Sequence, residues 1–263
     1  MVETPSNPQA GPARPLAAII LAAGKGTRMN SRRPKVLHEV AGRPMVAWVV
    51  DAVRAAGARP IVLVIGHGGA AVREAFGGLD ADLEFVVQDP LLGTGHATTC
   101  AAPALAGFDG DILVLAGDGP LIRESTISTM CRRHRTTGAA ATLATALVDD
   151  PAGYGRIVRD ASGGFEAIVE HRNATEAQRA IHEIYPSYAC FDAQLLFDTL
   201  DRLEPDEASR EYHLTDVPRA LLAGGHRVEV VEVVAAEDVL SINTPEQLAE
   251  VDAILSTRME ATR

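Results

Sequence analysis

Cysteine is scarce in this 263-residue chain: Cys100, Cys131 and Cys190 are the whole complement, an odd number with no CxxC spacing. Such a set builds neither a disulfide framework nor a zinc knuckle, and it fits a reducing cytoplasm. Basic charge is thin as well. The formal net charge is -11 and no block of basic residues offsets it locally, which opposes nonspecific attraction to nucleic acid. Long apolar runs are missing too. The longest early one, Leu16 to Ala23, has about the length of a signal-peptide core but falls far short of the roughly 20 residues that span a bilayer. Glu3 and several prolines precede it and GKGTR follows. Neither a secretory leader nor membrane insertion is expected.

What is present is ample core material. At 47% hydrophobic and 22% charged, the chain can bury a full core, and one large domain is expected. Residues 1 to 15 hold Pro5, Pro8, Pro12 and Pro15 among small polar residues without periodicity, the composition of a disordered leader. From Leu16 onward apolar runs alternate with helical patterns: LAAIILA, MVAWVVDAVRAA, PIVLVI, AAVREAF, LEFVV, the alanine-rich Thr94 to Leu105, and DILVLA. Strands joined by crossover helices in a mainly parallel sheet follow from that alternation. The second half is less regular. Residues 141 to 147, 156 to 159, 165 to 169 and 188 to 191 read as strands, and 193 to 203 and 213 to 223 as helices. A return strand over 228 to 234 precedes a closing helix from Pro245 to Arg258.

The first strand runs into Gly24-Lys25-Gly26-Thr27-Arg28. Glycines there let the backbone turn sharply and aim N–H groups at an anion, with Arg28 and Lys35 adding positive charge. The pattern is neither GxxxxGK[ST] nor GxGxxG, so no ATPase or dinucleotide reading follows. Two glycines alone also suit an ordinary strand-to-helix turn.

The wider pattern separates these readings. LAAGKGTRM followed by PKVLH resembles the signature of sugar-1-phosphate nucleotidyltransferases, specifically bacterial N-acetylglucosamine-1-phosphate uridylyltransferases. AGRPM, Gln88 with LGTGHA, Ala116-Gly117-Asp118, GYGRI, IVEHRNAT, EYHLTD and Ile242-Asn243 continue the series in the family order. The resemblance implies an α/β, Rossmann-like three-layer nucleotidyltransferase fold with a mixed, mainly parallel central sheet over 16 to 258. Its nucleotide-binding portion would cover about 16 to 120, its acceptor-binding portion about 121 to 227, and its return strand and closing helix about 228 to 258. It implies Mg²⁺-dependent transfer of a uridylyl group from UTP to a sugar-1-phosphate, giving a UDP-sugar of the kind used as a cell-wall precursor. The acceptor phosphate attacks the α-phosphorus and pyrophosphate leaves, so alignment and charge stabilisation are required and a general base is not.

By resemblance, Leu21, Ala22, Ala23, Gly24 and Gly26 fix the nucleotide, while Gln88, Gly93 and Thr94 hold uracil. Arg28 acts on the leaving pyrophosphate and Lys35 on the α-phosphate or acceptor phosphate. Asp118 and Asn243 are the Mg²⁺ ligands, and Gly155 and Glu170 contact the acceptor. Read in isolation, Asp118 is a turn former, Asn243 a helix cap and His96 structural. Two acceptor-side positions depart from the family. Ala116 stands where Tyr is usual, and Tyr185-Pro186-Ser187 stands where Asn-Thr-Gly is usual. These changes keep open another hexose-1-phosphate, muramic acid phosphate, CTP with a phosphoalcohol, or nucleotide-sugar binding without turnover. Relatives that continue into a β-helix acetyltransferase domain do so beyond the last helix, so no acetyl transfer is expected. Oligomeric state is not legible.

Overall fold

The computed structural model describes residues 14–77 and 82–261. Strand β1 (Leu16–Ala22) is buried on both faces: Ala18, Ile20 and Ala22 enter one core, Ala17 and Ile19 the other. A strand covered on two sides has to read as a continuous apolar run. A two-stranded ribbon, β2 (Glu39–Val40) with β3 (Arg43–Pro44), leads into α1 (Met45–Ala55). Then come β4 (Ile61–Ile65), α2 (Gly69–Ala75), β5 (Leu83–Val87), α3 (Gly93–Cys100) and β6 (Asp111–Ala116). After α4 (Glu124–Thr137) follow β7 (Ala141–Leu147), β8 (Gly155–Arg159), β9 (Phe165–Val169), α5 (Glu176–Arg179) and β10 (Glu183–Asp192). Helices α6 (Ala193–Leu200) and α7 (Val217–Ala223), strand β11 (Val228–Glu232) and α8 (Pro245–Ala261) complete the chain.

The sheet order is β11-β7-β10-β6-β1-β4-β5, with the β8–β9 hairpin added to the start of β10. Along that path β10 alone is antiparallel to its neighbours, so the sheet is mixed and mainly parallel. Helices cover both faces. Val49, Ile127, Val251 and Leu255 bring α1, α4 and α8 to one core, and Ala97, Leu196 and Leu221 bring α3, α6 and α7 to the other. Strand order reverses at β1, which has β4 on one side and β6 on the other. Open α/β sheets bind ligands in the crevice that opens at the carboxyl ends of such strands.

Several boundaries differ from the sequence reading. Helix α4 was not among the expected elements. Thr126, Ile127, Met130, Cys131 and His134 form its buried stripe, at helical spacing, within a segment rich in Thr, Ser and Arg. The expected helix from Thr94 to Leu105 ends at Cys100, before Pro103. Strand β10 begins at Glu183, ahead of the expected Tyr188, because the polar bulge described below interrupts its apolar pattern. Of the expected leader, residues 1 to 13 lie outside the described residues. Arg14 is held by Asp192 at 2.9 Å and by the fully buried Asp111 at 3.3 Å. Asp111 also accepts from Arg135 at 2.7 Å, which fixes the amino end of β6, the end away from the crevice. Cys100, Cys131 and Cys190 are free thiols. Among the described residues no helix is long and apolar enough to cross a membrane.

Candidate active site

The loop after β1 rises from the crevice. Gly26 holds φ +59°, and a Cβ there would lie 2.5 Å from the Cβ of Lys35, so glycine lets the loop close onto the lysine. Nothing lies within 4 Å of a Cβ built on Gly24, which leaves open space beside the backbone where an anion fits. Gly26 is the one expected nucleotide contact that lines neither of the two cavities of the site; it serves as a spacer for Lys35.

Lys35 sits in the 3-10 turn Lys35–Leu37, anchored by buried Val36 and Leu37. Its ammonium donates to Asp118 and, at 2.7 Å, to Asn243 Oδ1. Arg28 donates to the same Asn243 oxygen at 2.8 Å. Asp118 leaves the end of β6, and its backbone oxygen accepts from Ile242, which brings the loop before α8 to its side. Thr244 and Gln247 cap α8 through Gln247 N to Thr244 Oγ1 at 3.3 Å and Thr244 N to Gln247 Oε1 at 3.2 Å. Asn243 is therefore released from capping. Its Nδ2 donates to Ser241, which turns Oδ1 toward the cations. Two oxygen donors thus converge on one positive centre. A carboxylate and an amide oxygen suit a hard divalent cation that takes its remaining ligands from phosphate and water.

Two adjoining cavities meet here. The larger, about 580 Å³, is lined by Leu21 to Lys25, Lys35, Gln88, Gly93 and Thr94. The smaller, about 290 Å³, is lined by Arg28, Gly153 to Gly155, Asn243 and Gln247. Ala116, Asp118, Glu170, Tyr185 and Ser187 form the wall they share. Gln88 is 5% exposed, with Nε2 donating to Gly93 O at 2.9 Å. Gly93 needs its φ of +94°, and a Cβ there would stand 2.5 Å from Tyr212 O. Thr94 is partly committed, since its hydroxyl oxygen accepts from Leu214 N at 3.0 Å.

The shared wall carries the departures at 116 and 185 to 187. Between Ile184, paired with Ala146, and Tyr188, paired with Ala144, β10 has three residues against the single Thr145 on β7. Tyr185, Pro186 and Ser187 consequently bulge toward the cavities. Ser187 takes φ +68°, which costs about 1 kcal/mol for a residue with a side chain. Tyr188 pairs with Leu115, so the bulge continues beside Ala116, and Tyr185 and Ala116 line the same two cavities. Burial first, then the Glu170 charge, pushes the Tyr185 phenol well above its ordinary pKa, so it acts as a neutral hydroxyl. Glu170 accepts from Thr215 at 3.3 Å, which steadies it in the wall. Behind it, the 1%-exposed Arg156 donates to Tyr154 O and stands 3.2 Å from His171 Nδ1, joining the Gly153 to Gly155 loop to the turn after Glu170.

The sequence reading assigned no role to Glu211, His213, Thr215, Ser241 or Gln247, all of which line the cavities. Glu211, His213 and Thr215 lie within EYHLTD, whose place in the ordered motif series was the available signal.

The MobA-like NTP transferase domain family matches residues 18–214. The chain is 45% identical over 244 residues to the bifunctional protein GlmU of Pelobacter propionicus, and 47% identical over 244 residues to that of Pelotomaculum thermopropionicum. Each alignment covers 93% of this chain and 53% of the relative, so the chain spans about half the length of the curated relatives it matches. In fold it is similar to a crystal structure of UDP-glucose pyrophosphorylase complexed with UDP-glucose, at a TM-score of 0.74 and 16% identity, covering 93% of this chain and 99% of that one.

Proposed function

The chain belongs to the MobA-like NTP transferase family, and on that premise we propose that it transfers the uridylyl group of UTP to a sugar-1-phosphate, N-acetylglucosamine-1-phosphate foremost, with release of pyrophosphate. The observation that carries this reading is the junction of two cavities at the Lys35, Asp118 and Asn243 cluster. The larger cavity takes the nucleotide, with its base toward Gln88 and its phosphates along Leu21 to Lys25. The smaller takes the sugar, with hydroxyls toward Glu170 and the backbone of Gly155.

The acceptor arrives as an anion and must approach a second anion. Lys35, in the wall of the larger cavity beside Asp118, lowers that repulsion, and Arg28, at the rim of the smaller cavity, neutralises charge on the departing pyrophosphate. Asp118 and Asn243 would hold Mg²⁺, which when bound supplies Lewis-acid stabilisation of phosphate oxygens. The three free thiols support a reaction in a reducing compartment.

One observation favours a different acceptor within the same chemistry. Tyr185 and Ala116 alter the sugar-facing wall together, which supports testing other hexose-1-phosphates and muramic acid phosphate.

The reading is tested by ³¹P NMR of UTP, Mg²⁺ and N-acetylglucosamine-1-phosphate with the protein. Equimolar UDP-sugar and pyrophosphate are expected, with no pyrophosphate when the acceptor is omitted. Glu170→Ala is expected to raise the acceptor KM about tenfold, the loss of one charge-assisted hydrogen bond, with the KM for UTP little changed. An equal rise in both constants would remove Glu170 from the acceptor subsite.

A further inference from the structure

His96 lies on α3 with its ring beside that of Tyr212, centroids 6.5 Å apart. Its Nδ1 is 3.1 Å from Gln88 Nε2, the same nitrogen that stands 2.9 Å from Gly93 O. A carbonyl oxygen can only accept, so the Gln88 atom facing Gly93 must be the amide nitrogen. Its second hydrogen then points at His96, and Nδ1 must be the unprotonated, accepting nitrogen of the ring. The ring proton lies on Nε2, which is 3.8 Å from Cys100 Sγ, a weak acceptor.

Both amide hydrogens are thus spent on the chain. Gln88 Oε1 receives no hydrogen bond among the described residues and is not among their enclosed polar atoms without partners, while Gln88 itself lines the larger cavity. The cavity meets a pure acceptor at this point. Uracil offers N3–H, which such an oxygen binds, whereas cytosine offers a lone pair at N3, which it repels. With Gly93 O as the sole anchor, one hydrogen would remain uncommitted; with His96 as a second, reversing the amide sets two acceptors against its oxygen.

We propose that His96 is a positioning residue that, together with the Gly93 carbonyl, locks the Gln88 amide with its oxygen toward the nucleobase and thereby sets the preference for uridine over cytidine triphosphate. The proposal rests on the uridylyltransferase reading.

The test compares wild type, His96→Phe and His96→Asn for kcat and KM with UTP and CTP. His96→Phe keeps a flat ring but removes the acceptor. It is expected to raise the KM for UTP about tenfold with kcat within about threefold, and to narrow the UTP:CTP ratio of kcat/KM by at least about tenfold. His96→Asn places an amide oxygen near the position of Nδ1 and is expected to retain the wild-type ratio. A His96→Phe enzyme as selective as wild type overturns the proposal. So does a His96→Asn enzyme that folds with the wild-type Tm yet loses selectivity equally, because ring packing would then be what matters. Should His96→Phe fail to fold, the ¹⁵N shifts of His96 in the wild-type protein decide: the Nε2–H tautomer is expected, and Nδ1–H overturns the proposal. A wild-type enzyme that turns over UTP and CTP equally overturns the uridylyl reading itself, whereas a UTP-selective wild type with a selective His96→Phe leaves that reading intact.

Discussion

Lys35→Ala is expected to lower turnover roughly 10²- to 10³-fold, the usual cost of removing a pre-positioned charge that meets developing negative charge. The fold should survive the change. Alanine keeps the Cβ that Gly26 abuts, and the turn is held by Val36, Leu37 and the bond from Leu37 N to Pro34 O at 2.9 Å. The Asp118 side chain is 21% exposed, so water reaches the carboxylate once the ammonium is gone. A partly exposed pair of this kind contributes up to about 1 kcal/mol, which corresponds to a fall in Tm within about 4 °C. Pyrophosphate release measured alongside a thermal melt separates the two effects. Near wild-type turnover with an unchanged melt would remove Lys35 from the reaction.

Asp118→Asn should produce a loss of comparable size, roughly 10²- to 10³-fold at moderate Mg²⁺, with partial recovery as Mg²⁺ is raised. The substitution keeps the shape and an oxygen but removes the negative charge, and a hard dication depends strongly on that charge. Because Lys35 and Asp118 contact each other directly, the double variant should be less impaired than the product of the two single losses. Metal titrations of kcat/KM for the three variants report this. An Asp118→Asn enzyme with the wild-type Mg²⁺ dependence would show that the carboxylate serves only as the partner of Lys35.

The fold was readable where a single physical demand shaped a segment. LAAIILA and DILVLA are buried in the middle of the sheet and LEFVV pairs at its parallel edge, and the structure begins and ends these strands at the residues the pattern indicated. Helix α4 was hidden because only five side chains, two of them the polar Thr126 and His134, are buried to dock it. At the site, the motif order singled out Lys35, Asp118 and Asn243, and the structure brings their polar atoms together from three distant segments. Composition could not show that Thr244 takes the capping role and leaves Asn243 free, since both residues are good caps. Nor could it show that Tyr185 to Ser187 form a bulge, because the three-against-one register depends on the partner strand β7. The same limit applied to His96. Its importance lies in which nitrogen faces Gln88, a property of three-dimensional placement that the letters GTGHA do not carry.

The central claim is uridylyl transfer between the two cavities, and pyrophosphate release across four nucleoside triphosphates and a panel of sugar-1-phosphates tests it most directly. Release is expected with UTP alone, only when a sugar-1-phosphate is present, and only with a divalent cation. Equal release from all four nucleotides, or release that ignores the acceptor, would contradict it.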